Sequence, residues 1–164
     1  MSKLRQMADI FRKLDKKQVG IGWFEENRYA DGKPVAEVAY LNEVGHTTKF
    51  KKGNMPVEAV FVTPARPFMR ATAIAAEEPV REVSAKLAKG VAMGKITPDQ
   101  SLQMIGEKVL GELLNQIKNG GWEPNSDLTV NGLPPLWEGK GFNSPLTGVT
   151  GLMAQSAQAK VIKK

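Results

Sequence analysis

The chain of 164 residues contains no cysteine and a single histidine, and only 7% of it is aromatic. The first absence excludes disulfide frameworks, thiolate metal sites and cysteine nucleophiles. It agrees with folding in a reducing compartment. With one imidazole, His46, and no thiol, zinc-type coordination has almost nothing to build on. Also lacking is any apolar run near the roughly 18 residues that a membrane span needs. The segment from Met1 to Arg5 leads into an amphipathic pattern and not into an apolar leader core. The expectation is a non-membrane protein without a visible export signal.

Catalytic patterns are missing too. There is no nucleophile elbow, no zinc-protease helix and no phosphate-cradling glycine loop. A general base needs an orienting partner and a nucleophile in reach, and His46 sits in a polar stretch without either in its sequence surroundings. The acid pairs Glu25-Glu26 and Glu77-Glu78 lack the loop spacing of a calcium or magnesium cage. They read as a solvated turn and a helix face. The sequence therefore predicts no enzyme activity, no cofactor and no metal.

What is present is an ordinary soluble-domain composition, 41% hydrophobic and 24% charged, with enough length for one domain that buries most of its surface. The net charge of +6 comes from Lys3 to Lys17, from Lys49 to Lys52 and from Lys160 to Lys164. Two of these clusters are chain ends and one is a loop, which reads as solvated basic ends. Phe50 among Lys49, Lys51 and Lys52 allows a transient, non-specific DNA or partner contact.

Leu4, Met7, Phe11 and Leu14 recur at helical spacing, so residues 3–15 form an amphipathic helix, docked on the protein's own sheet or on a neighbouring subunit. Gln18 to Phe24 and Val35 to Leu41 read as strands paired antiparallel, with a turn at Asp31 to Pro34. Gly20 and Gly22 suggest a bulge or a close backbone approach. Gly45 to Met55 reads as an exposed, mobile loop, and Val57 to Val62 as a third strand ended by Pro64 and Pro67.

A helix kinked at Pro79 is expected from Phe68 to about Met93, with Ala76, Val80, Val83, Leu87 and Val91 as its stripe. Thr97-Pro98-Asp99-Gln100 is a capping box with proline at the first helical position, worth about 1 kcal/mol at the cap. The helix it opens buries Leu102, Ile105, Val109, Leu113 and Ile117 and stops at Gly120-Gly121. Gly106 and Gly111 inside it imply close packing. After Trp122 the chain turns rich in proline and glycine and reads as an irregular arm, with Met153 to Ile162 closing as a strand or a short helix.

The predicted fold class is α+β, a small antiparallel sheet packed against two long helices plus the N-terminal helix. Residues 1–121 form the core, with a mobile loop at 45–56. Residues 122–164 form an extended arm, able to return a strand to the sheet.

Four groups of residues carry a family resemblance. Val35 to Gly45 ends in Asn42-Glu43-Val44-Gly45, where the family has Asn-Glu-aromatic-Gly. Pro64-Ala65-Arg66-Pro67-Phe68-Met69-Arg70 leads into the long helix. Trp122-Glu123-Pro124-Asn125-Ser126 and Leu128-Thr129 follow the second helix, and Lys140-Gly141, Pro145-Leu146 and Thr150-Gly151 come after them. Asp127 replaces a usual proline, and Leu133 to Glu138 looks inserted. In order and spacing the chain resembles the neck and tail-completion proteins of long-tailed bacteriophages, over roughly residues 18–160.

The resemblance implies a virion structural protein, made in the host cytoplasm and placed at the head–tail junction. It implies a homo-oligomeric ring, commonly sixfold, between the portal or connector and the tail terminator or tail tube, with a channel for DNA. A tail-terminator or tail-tube protein is the neighbouring alternative, and a basic nucleic-acid-binding accessory protein the second. Arg66, Phe68, Arg70, Trp122, Trp137 and Phe142 are the candidate interface anchors, because aromatic and arginine side chains dominate interface energetics.

Overall fold

A computed structural model of the chain describes residues 3–50, 59–133, 137–139, 141, 144–148 and 150–164. Helices and small antiparallel strand pairs give the expected α+β class. The chain divides into two compact units that interleave along the sequence. The first holds residues 1–24, 70–115 and 157–164, and the second residues 25–69 and 116–156. The expected boundary between 121 and 122 thus falls inside the second unit.

In the first unit, α1 (Lys3–Asp15) precedes β1 (Lys17–Gly22). Most of α3 (Phe68–Ala92) and α4 (Pro98–Asn119) follow, and β6 (Gln158–Lys163) closes the unit. Strand β1 pairs with β6 in an unbroken antiparallel register from Lys17↔Lys163 to Gly22↔Gln158. This corrects the expected pairing of β1 with residues 35–41. It also corrects the bulge or close backbone approach expected at Gly20 and Gly22: the unbroken register shows no bulge, and a Cβ at either would meet no atom closer than 3.6 Å. A local alternation pattern specifies that a strand exists, while its partner lay some 140 positions away in sequence.

The pair packs on α4. Gly106 is buried, and a Cβ built there would meet Val19 and would come within 3.0 Å of the Ala159 methyl. The Gln103 amide donates to the Ala159 carbonyl at 3.1 Å. Gly111, by contrast, faces open space, so only one of the two helical glycines answers to close packing, and its neighbours are side chains.

Met7, Ile10 and Leu14 of α1 line one small cavity with Ala88 and Val91 of α3 and Leu102 and Ile105 of α4. Met7 and Leu14 of the expected stripe therefore face helices. The capping box forms as expected: Thr97 N–H donates to Gln100 Oε1 at 2.8 Å, and Gln100 N–H to Thr97 Oγ1 at 3.2 Å. Pro79 lies inside a single continuous α3. Its stripe buries Ala76, Leu87 and Val91.

The second unit begins with α2 (Val35–Val44), which the sequence reading took for a strand. Ten residues that mix valines with helix formers (Ala36, Glu37, Ala39, Leu41, Glu43) fit both periods. Pro34 stands extended at the N-cap, where its missing N–H costs nothing. Val35 and Ala39 are fully buried while Glu37 between them is exposed, which is the helical period, since a strand would put all three on one face.

The second correction follows at once. Residues 46–50 are β2 (His46–Phe50), which pairs in antiparallel register with β3 (Ala59–Thr63), where a loop was expected. A strand this polar shows no apolar alternation, so periodicity cannot find it. The rest of the expected mobile loop, residues 51–56, lies outside the described residues.

The arm beyond Trp122 is not irregular throughout. It contains α5 (Asp127–Asn131), the short pair β4 (Gly132–Leu133) and β5 (Trp137–Glu138), and α6 (Leu152–Ser156). Leu146 and Met153 join Val35, Ala39, Phe68 and Ile117 in the buried core of this unit.

Candidate functional site

The second unit is organised around Arg66. Pro64 and Pro67 flank it and keep the segment out of a helix until Phe68. Its backbone N–H donates to the Asn42 carbonyl at 2.8 Å, and Phe68 N–H donates to the Arg66 carbonyl at 2.7 Å. The residue is only 2% exposed. Its Nε donates to the Glu123 carbonyl at 2.8 Å and its Nη1 to Asn42 Oδ1 at 2.8 Å. Nη2 reaches the Pro124 carbonyl at 3.2 Å and Asn125 Oδ1 at 3.1 Å.

Asn42 is held for this task, since its own amide donates to the Val38 carbonyl at 2.9 Å. Beside it, Glu43 Oε2 accepts from Met69 N–H at 2.7 Å. A carboxylate from α2 thereby caps the positive first turn of α3. Burial lowers the Arg66 pKa from its ordinary value, and the nearby Glu123 charge opposes that shift. Arginine stays charged regardless, so a full positive charge is enclosed among carbonyl and amide oxygens.

Arg66, Asn42 and Asn125 also form part of the wall of an open cleft of about 790 Å³. Tyr29, Asp31 and Lys33 line it from the loop before α2, His46 and Thr63 from the foot of the hairpin, and Thr129, Thr147 and Thr150 from the C-terminal segment. Burial, with a smaller contribution from Asp31, raises the Tyr29 pKa. His46 Nδ1 lies 3.4 Å from the Leu41 carbonyl, which orients the ring when that nitrogen carries the proton. Val38, Leu146, Leu152 and Met153 give the rest of the lining an apolar character. Among the described residues no group of three or more His, Asp or Glu is placed to hold a metal.

The predicted interface anchors do not behave as one set. Arg66 and Phe68 are buried, Phe68 completely. They hold their own unit together and are corrected from surface anchors to internal ones. Trp122 is half-buried and donates its Nε1–H to the Gln116 carbonyl at 2.7 Å, closing the end of α4. Arg70 is exposed on α3, and Lys49 is exposed on β2. Trp137 lies in β5. Phe142, Lys51 and Lys52 lie outside the described residues.

The expected acid pair Glu77 and Glu78 sits on α3, where both carboxylates meet Arg81, at 3.3 and 3.1 Å. Sequence reasoning missed the partners of Arg66 as partners, although Asn42, Glu123, Pro124 and Asn125 stood in the motifs. It also missed Tyr29, Lys33 and Thr150 as cleft residues, although Lys33 stood in the expected turn and Thr150 in the Thr150-Gly151 motif.

Outward-facing apolar residues mark a second feature. Val60 and Val62 of β3 are 52% and 67% exposed. Two apart on one strand, they share a face, and they pair with Lys49 and Thr47. No family model, curated protein or solved structure matches this chain. Among the described residues no helix is long and apolar enough to cross a membrane.

Proposed function

We propose that the chain is a structural virion protein of the phage head–tail junction, assembling as a ring of identical copies that joins connector to tail and leaves a passage for DNA. One observation carries this reading. The separate stretches behind the resemblance, Asn42-Glu43, Arg66 to Met69 and Glu123 to Asn125, meet in a single hydrogen-bonded node. Their recurrence in order and spacing then has a physical reason that requires no catalysis: each supplies one part of the same buried lock.

The uncovered valines of the β2–β3 hairpin support the assembly half of the reading. A two-stranded hairpin is marginal by itself, and exposed apolar faces gain stability when a partner covers them. In a ring, that partner is the next copy, joined through a heterologous contact.

Reconstruction of the assembled particle tests the proposal. The expected outcome is a ring of density for this chain at the head–tail junction. Density in the tail tube, or no density in the particle, overturns it.

A further inference from the structure

In sequence, the basic segments at the two chain ends look like unrelated solvated tails. The β1–β6 register brings them together: Lys17 lies directly opposite Lys163, and Lys164 N–H donates to the Lys16 carbonyl at 3.0 Å. Like charges placed opposite each other on paired strands repel. With Lys13 from the last turn of α1, these lysines line one open cleft of about 520 Å³ at this end of the first unit. Five lysines face a single lining acid, Asp15.

Two of the five charges are answered within the unit. Lys17 Nζ holds both carboxylate oxygens of Asp99 at 2.6 Å. Lys164 Nζ lies 3.8 Å from Asp15. Among the described residues, Lys13, Lys16 and Lys163 have no acidic partner. The α1 helix dipole favours Lys13 at its position but does nothing for Lys16 or Lys163 across the cleft.

We propose that this cleft binds the phosphodiester backbone of a DNA duplex, without sequence preference. Lysine ammonium groups are point charges with no fixed fork geometry. They suit phosphates whose position along the backbone varies, and counterion release drives such binding. No aromatic side chain lines the cleft to stack an unpaired base, which favours duplex over single strand.

A membrane surface fits less well. Interfacial helices insert an apolar face, whereas Met7, Ile10 and Leu14 of α1 are turned to a cavity shared with α3 and α4. The inference concerns the isolated chain and holds whether or not copies form a ring.

The test measures binding of the full chain to a labelled DNA duplex by fluorescence anisotropy across a salt series. It compares the wild type with Lys13→Gln/Lys16→Gln/Lys163→Gln and with a charge-matched control, Lys86→Gln/Lys89→Gln/Lys95→Gln. Circular dichroism confirms that each variant is folded. The cleft variant is expected to flatten the slope of log K against log salt by about 2 to 3, close to 0.9 per lost phosphate contact. It is also expected to weaken low-salt binding by about tenfold or more, and the control to change the slope by less than about 1.

Equal losses in the two variants would reduce the effect to bulk charge and overturn the site. So would the absence of DNA binding by the wild type. Tighter binding to phosphatidylserine-containing vesicles than to the duplex would overturn the choice of partner.

Discussion

Arg66 shows what a buried charge can do when every part of its fork is used. Its three donor nitrogens reach four oxygens on two sequence-distant segments. Removal leaves the Glu123 and Pro124 carbonyls and two asparagine side chains without that partner. Left unpaired, a buried group costs on the order of 1–3 kcal/mol, and these half-buried or partly solvated acceptors each cost toward the low end of that range. Arg66→Ala should therefore destabilise the chain by about 3 kcal/mol or more, read from denaturant midpoints at constant slope. Arg66→Lys keeps the charge but not the fork, and should recover less than half of that loss. A lysine variant as stable as the wild type would show that charge alone matters at this position.

At the scale of elements, two glycines in one helix separate propensity from packing. Gly106→Ala gains up to about 1 kcal/mol of helix propensity. The new methyl, however, collides with Val19 and crowds Ala159 on the β1–β6 pair, and overpacking typically costs about 1–3 kcal/mol. The expected net is destabilisation by about 1 kcal/mol. Gly111→Ala meets nothing and should stabilise by about 0.5–1 kcal/mol. Opposite signs in thermal melts of the two variants are the checkable outcome. Gly45 marks a further joint between elements. It ends α2 with φ of 72°, and a Cβ there would lie 2.7 Å from the Ala65 backbone nitrogen. Only glycine permits the helix to pass into β2 against that neighbour.

For the whole molecule, the interleaving of the units has the largest consequence. The last strand completes a unit whose first strand begins at Lys17. A chain ending at Ala157 should lose amide protection in β1, because a lone strand has no partner for its N–H and C=O groups. Hydrogen exchange read by mass spectrometry checks this, and unchanged protection of residues 17–22 would contradict it. The buried core of the second unit also draws on both ends of its sequence, from Val35 to Met153. Both units therefore close only after most of the chain has been made, and such long-range closure tends to slow folding.

Local chemistry decided much by itself. The stripe of α1, the capping box of α4 and the continuous run of α3 follow from periodicity and from the Thr97–Gln100 pair, which act within a few residues. The α+β class follows from the same signals. Tertiary structure decided the rest: that Val35–Val44 winds into a helix, that His46–Phe50 is a strand, and that β1 pairs with β6. In each case the deciding partner lies outside the segment: the Arg66 fork for Asn42, the next strand β3 for the polar strand, and the distant β6 for β1. A ten-residue segment carries too little hydrophobic contrast to choose between periods alone, so its fate was set by what packed against it.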